Sequence, residues 1–132
     1  MKTLTIIAAA LLAAVPATAA AQSPIEGVWS NPKRSVTVRI APCGQALCGR
    51  VVSATAKAKA DAAEGGTSNL VGATILSNLT PAGANKWKGR VFMPKANRHA
   101  TGNLSLSGRD RLNVQGCLLG ILCKSQTWTR VS

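Results

Sequence analysis

The sequence predicts an all-β fold, a single small antiparallel up-and-down barrel of about eight strands. Three observations carry this reading. Short runs that alternate apolar and polar residues recur from Ile25 to Val131, with Gly, Pro or Asn turn signals between them. No segment has the wide apolar stripe of a crossover helix. The first and last runs, around Trp29 and Trp128, would be left as two exposed sheet edges, and pairing them removes both.

Ile25 to Ser30 is the expected first strand, ended by Asn31-Pro32. Ser35 to Ile40 alternates cleanly, with Val36, Val38 and Ile40 inward and Thr37 and Arg39 outward. Pro42 and Gly44 mark a turn, and Leu47 to Ala54 returns with Leu47, Gly49 and Val51 on one face. A glycine at 49, inside a strand, marks a kink or bulge of the kind barrel curvature needs. Thr55 to Gly66 breaks the pattern: its Ala/Lys run has helix propensity and an i,i+4 pair of Lys57 with Asp61. It has no apolar stripe wider than alanine, so a short helix or mobile loop over one barrel mouth is expected.

Ala73 to Leu79 is the fourth strand, with a turn at Pro81-Ala-Gly83. In Lys86 to Met93, Trp87, Gly89, Val91 and Met93 share one face and Lys86, Lys88, Arg90 and Phe92 the other. His99 to Ser107 puts Leu104 and Leu106 inward, and Arg111 to Gln115 does the same with Leu112 and Val114. Ser125 to Val131 closes the series, with Trp128 and Arg130 on one face. A tryptophan and an arginine cannot both be ordinary interior residues, so one end of this strand lies at a barrel rim.

The first 21 residues are expected to be removed. Lys2, the apolar run Leu4 to Val15, the break at Pro16 and the small residues at 19 and 21 fit an export signal cut after Ala21, with Ala19 the nearest competing cut. The run is too short to span ~30 Å of hydrocarbon, so no transmembrane segment is expected. Residues 22–132 then make one β-barrel domain, periplasmic or secreted. Losing Lys2 leaves fifteen Lys and Arg against four acids, a net charge of +11. Such a charge suits anionic surroundings such as lipid, lipopolysaccharide phosphate or acidic glycan, and it also simply keeps a small protein soluble.

Cys43, Cys48, Cys117 and Cys123 are the only cysteines. An even number in an exported chain reads as two disulfides with three connectivities open, of which local pairing, Cys43 with Cys48 and Cys117 with Cys123, is preferred. Spacings of C-x4-C and C-x5-C miss the usual zinc patterns, so no metal site is expected.

Gly27-x-Trp29 with the late Arg130 resembles the fingerprint of lipocalin-type barrels, in which an arginine from the far end of the chain lies over the tryptophan. That resemblance implies barrel closure through Trp29 and Arg130, with the guanidinium stacked on the indole. Across nearly all of residues 22–132 the chain is similar to an exported bacterial family of unknown function, number 2147. The matching motifs are Gly27-Val-Trp29, Pro42-Cys43 through Leu47-Cys48-Gly49-Arg50-Val51, Ile75-Leu76-Ser77-Asn78-Leu79, Lys86-Trp87-Lys88-Gly89, and Gly116-Cys117-Leu118 through Cys123 to Arg130. The family resemblance implies a lipocalin-like barrel and brings no established activity. Two segments depart from it: Lys95 to Ala100 replaces an acidic, glycine-containing turn followed by a tyrosine, and the Ala/Lys run replaces acids and an Asn-Pro.

Catalysis is not expected. His99 is the sole histidine and Glu26, Asp61, Glu64 and Asp110 are the only acids. A Ser–His–Asp set drawn from His99 and Asp110 has no nucleophile elbow, and four scattered acids make no glycosidase pair. No cofactor is implied. With no Tyr and one Phe, the stacking platforms of single-strand nucleic-acid binders are missing. The expected function is non-enzymatic binding of a small apolar or amphipathic ligand in a barrel mouth, with Trp87, Met93 and Trp128 as candidate contacts. The alternative is a basic cell-envelope protein whose surface stripe of Lys86, Lys88 and Arg90 meets anionic lipid, lipopolysaccharide or acidic glycan.

Overall fold

The computed structural model describes Thr3 and residues 22–132, so the expected export signal lies, but for Thr3, outside the described residues. These residues form eight strands and one helix: β1 Gly27–Ser30, β2 Val36–Cys43, β3 Ala46–Ala54, α1 Ala56–Glu64, β4 Thr74–Gly83, β5 Lys86–Met93, β6 Arg98–Ser107, β7 Arg111–Leu118 and β8 Leu122–Arg130. Each strand pairs antiparallel with the next, and β8 returns to β1, so the sheet closes into a barrel as the alternating pattern predicts.

Up-and-down order divides the turns between two ends. Residues 22–26, the β2–β3, β4–β5 and β6–β7 turns and Arg130 lie at one end, called here the N-terminal mouth. Helix α1 and the β5–β6 and β7–β8 turns lie at the other. The seam is short, with Trp29 opposite Arg130 and Ser30 opposite Thr129. Beyond them Val131 N donates to Val28 O (2.7 Å) and Val28 N to Ser132 O (2.8 Å).

The inward faces supply the core. Val38, Ile40, Val51, Leu76, Leu79, Leu104, Leu112 and Val114 are buried, and so are Trp29, Trp87 and Trp128. Three indoles take up much of the lumen of so small a barrel, where eight strands leave room for little more than side chains. Gly49 does mark an irregularity: the β3–β4 register slips on either side of it. A Cβ there would lie 2.9 Å from Leu76 Cδ1, so the missing side chain lets Leu76 pack across the wall.

Several strands differ in extent from the sequence reading. Ile25, expected in the first strand, sits in a turn in which Glu26 N donates to Ser23 O (2.9 Å). Its fully buried side chain caps the N-terminal mouth, and its carbonyl accepts from Trp29 Nε1 (2.9 Å). Pro81, expected in a turn, lies within β4, which runs on to Gly83. The last β3–β4 pair is Leu47 with Leu79, so Pro81 pairs only with Trp87 of β5 and no ladder bond on the other side is missed. Strands β7 and β8 also run further than expected, and Cys117 and Cys123 are register partners inside them.

Helix α1 settles the choice between helix and loop. Thr55 Oγ1 accepts from Ala58 N (3.1 Å) as an N-cap. The helix starts at the β2–β3 rim, where Thr55 N donates to Ser35 O (2.8 Å). It ends against the β5–β6 turn: a Cβ on Gly65 would lie 1.9 Å from Lys95 O, and Thr67 Oγ1 donates to Pro94 O (2.9 Å). β2 and β5 are three strands apart in the eight-stranded ring, so α1 reaches across part of that end, with its own Ala62 buried.

Candidate functional site

At the N-terminal mouth lies a cavity of about 250 Å3. Its apolar lining comes from Pro42, Leu47, Leu79, Pro81 and Trp87, and its polar lining from Gln22, Ser23, Glu26 and Gln45. Four pieces of chain converge to make it: the segment before β1, the Cys43–Cys48 hairpin, the long end of β4, and the start of β5. Each is held locally. Cys43 and Cys48 are disulfide-bonded across the hairpin, with Cα atoms 5.8 Å apart. The Glu26 carboxylate accepts a hydrogen bond from Ser23 N, which fixes the turn before β1.

Trp87 is the one ligand candidate that lines this cavity. It reaches the mouth because Pro81 of the overlong β4 is its register partner, and it is mostly buried there. Met93 is at the far end of the same strand, near α1. Trp128 is buried in the lumen, where its Nε1 donates to Gln126 Oε1 (3.0 Å). The three candidates therefore do not form one site. Glu26, Leu47 and Pro81 line the cavity without standing out in the sequence; the only hint was Pro81, a proline placed where a strand would end.

Beside the cavity is the closure pair. The Arg130 guanidinium lies 4.3 Å from the centroid of the Trp29 ring. Its Nη1 donates to Glu26 O (2.8 Å), Nη2 to Pro24 O (2.6 Å) and Nε to Arg109 O (2.8 Å). One side chain thus ties β8 to the turn before β1 and to the β6–β7 turn. Asp110 Oδ1 is 3.9 Å from Nε.

Lys86, Lys88 and Arg90 are exposed on the outer wall of β5, opposite Ser105, Asn103 and Thr101 of β6. Among the described residues none of them forms an ion pair. His99 rests against Phe92, ring centroids 4.9 Å apart, at the α1 end, whereas Asp110 is at the other end, so these two are not brought together. Among the described residues no three His, Cys, Asp or Glu side chains come together, and all four cysteines are in disulfides, Cys117 with Cys123 being the second.

The bacterial family model of uncharacterised proteins numbered DUF2147 matches residues 27–130, nearly all of the described barrel. The chain belongs to that family. No curated protein matches it. Among solved structures, the Helicobacter pylori protein HP1028, described as belonging to the lipocalin family, superposes with a TM-score of 0.61 at 15% identity, covering 81% of this chain and 82% of that one. At that identity the likeness is one of fold. In this DUF2147 barrel the Trp29–Arg130 pair occupies the place the lipocalin fingerprint implies. The segment Lys95 to Ala100, expected from the sequence to depart from the family pattern, is the β5–β6 turn and the start of β6 at the α1 end, with Asn97 at φ 49°.

Proposed function

We propose that this DUF2147 barrel is an exported, non-enzymatic binding protein that takes a small amphipathic ligand at its N-terminal mouth. The observation that carries the reading is the cavity itself, lined by an indole, two leucines and two prolines together with Glu26, Ser23 and Gln45. A mostly apolar hollow with a few placed polar groups is the usual form of a small-molecule site. At about 250 Å3 it falls just below the ~300–1,000 Å3 of sites for drug-sized ligands, which favours a short ligand over a long acyl chain. Trp29 and Trp128 are buried in the rest of the lumen, so the ligand would sit in the mouth. Two disulfides and the apolar leader in the sequence support export.

The test is to extract the purified protein for co-purified small molecules by mass spectrometry, and to titrate short-chain amphiphiles against tryptophan fluorescence. Binding should change the emission and be lost in Trp87→Ala, with Met93→Ala unaffected. Absence of any extracted or titrating ligand would sink the reading.

A further inference from the structure

We propose that the tip of the β7–β8 hairpin is a membrane-anchoring loop that inserts Leu119, Ile121 and Leu122 into the surface of an anionic bilayer. This does not depend on the mouth cavity, which lies at the opposite end of the barrel. Leu119 is 92% exposed, Ile121 83% and Leu122 71%, the three most exposed large apolar residues among the described residues, ahead of Val131 at 58%. A soluble domain of this size has no reason of stability to gather three such side chains among the five residues between Cys117 and Cys123.

The backbone makes the choice stranger. Leu119 sits at φ 54°, a left-handed conformation that disfavours a bulky L residue. At the other positive-φ positions without glycine, the chain uses Asn78, Asn85, Asn97 and Arg34. Asparagine would suit position 119 as well, and nothing buries the leucine in compensation. Backbone strain spent on a fully exposed apolar side chain points to a role outside the folded core.

The hairpin reaches well past its β1 neighbour. From Leu122 to Thr127 every residue of β8 is exposed, on both faces of the strand, and β1 covers only Thr129 and Arg130. Cys117 and Cys123, paired in register, staple the base of the tip. The surroundings fit negatively charged headgroups. Lys124 follows the tip, and Lys95, Arg98, Lys57 and Lys59 lie at the same end of the barrel, all exposed. Asp61 and Glu64 are the acids there, and Asp61 is already paired with Lys57. An apolar tip at the same end of the barrel as these cations is the pattern that binds an anionic interface, apolar groups at the acyl boundary and charges at the headgroups. A second copy of this chain fits less well. A tip of five residues falls short of the roughly 1,200–2,000 Å2 that a stable interface buries, and two strongly basic copies repel.

Flotation of the oxidised protein with phosphatidylglycerol–phosphatidylethanolamine vesicles tests this, with phosphatidylcholine vesicles as the neutral comparison. The protein should float with the anionic vesicles, and Leu119→Asn should weaken retention about tenfold while leaving thermal stability equal or higher. Adding Ile121→Ser and Leu122→Ser should abolish retention, and Lys124→Glu should reduce it. Failure of the wild type to bind, or equal binding by the tip variants, overturns the proposal. So does loss of retention on reversing Lys86, Lys88 and Arg90 while the tip variants still bind, or a concentration-dependent dimer in sedimentation that the tip variants abolish with no vesicle binding.

Discussion

Arg130 and Trp29 are register partners across the β1–β8 seam, and the guanidinium of one lies 4.3 Å from the ring centroid of the other. Their effects on stability should therefore be coupled. Trp29→Ala should cost about 3–5 kcal/mol as a large truncation in the core. In a double-mutant cycle by denaturant unfolding, the coupling with Arg130→Ala should be about 0.5–2 kcal/mol. Arg130→Lys should recover little, because an ammonium cannot reach the carbonyls of Pro24, Glu26 and Arg109 together. Strictly additive single-mutant effects would mean that the stacking contributes nothing.

Three glycines stand in one row across the wall: Gly89 pairs with Gly102, and Gly102 with Gly116. They are not equivalent. A Cβ on Gly89 would lie 2.4 Å from Ser77 O, and one on Gly102 2.8 Å from Val91 Cγ2, whereas one on Gly116 would be 3.7 Å from Ala100 Cβ. Gly89→Ala should destabilise by about 1–3 kcal/mol through forced backbone shifts. Gly116→Ala should be neutral or stabilising by up to about 1 kcal/mol, since it restricts the unfolded chain. Thermal melts of the two variants distinguish crowding from a general intolerance of side chains in this row.

The Cys43–Cys48 bridge closes a loop of only six residues, worth about 2 kcal/mol in the chain-entropy account. Replacing both cysteines by alanine should lower stability by about that amount. Because Pro42, Gly44 and Gln45 line the mouth cavity, the same variant should bind a mouth ligand more weakly than the matching Cys117/Cys123 variant does. Equal ligand titrations for the two variants would detach the hairpin from the site.

Lys57, by its 2.9 Å hydrogen bond, and then the charges of Lys57 and Lys95 hold the Asp61 carboxyl below its usual value. A depressed carboxylate stabilises the fold above its unfolded-state value, and that contribution is lost as pH falls through the folded-state value. Wild type and Asp61→Asn should therefore converge in stability in acid and separate in favour of wild type towards neutrality. The gap should shrink with added salt, because the site is open to solvent. A constant gap across the pH range would show that packing, and not charge, sets the role of Asp61.

Alternation made most of the barrel readable. β2, β5 and β7 place Val38, Ile40, Trp87, Leu112 and Val114 inward as their period of two requires. The register of β4 was not readable, because its pairing with β3 slips between Gly49–Leu76 and Arg50–Thr74, leaving Ile75 as an extra residue, so that both Ile75 and Leu76 are buried. The turn around Ile25 was read as strand because an apolar residue beside Gly27 looks the same in either setting. The mouth cavity was legible only through Trp87. Its other walls come from segments distant in sequence, and no local pattern announces that Glu26 and Pro81 will line the same hollow.

The seam has a kinetic consequence. Every other pair of neighbouring strands is joined by a turn or by α1, but β1 and β8 meet across about a hundred residues of chain, as the Arg130 Nη1 bond to Glu26 O makes plain. Closing that span has the largest loop entropy in the molecule, and a ladder of Trp29–Arg130 and Ser30–Thr129 offsets little of it. The ring is thus a curled ribbon fastened by a clasp. It should fasten last during folding and come undone first, so that the amides of Val28 and Val131 exchange with solvent ahead of those in the β5–β6 and β7–β8 ladders.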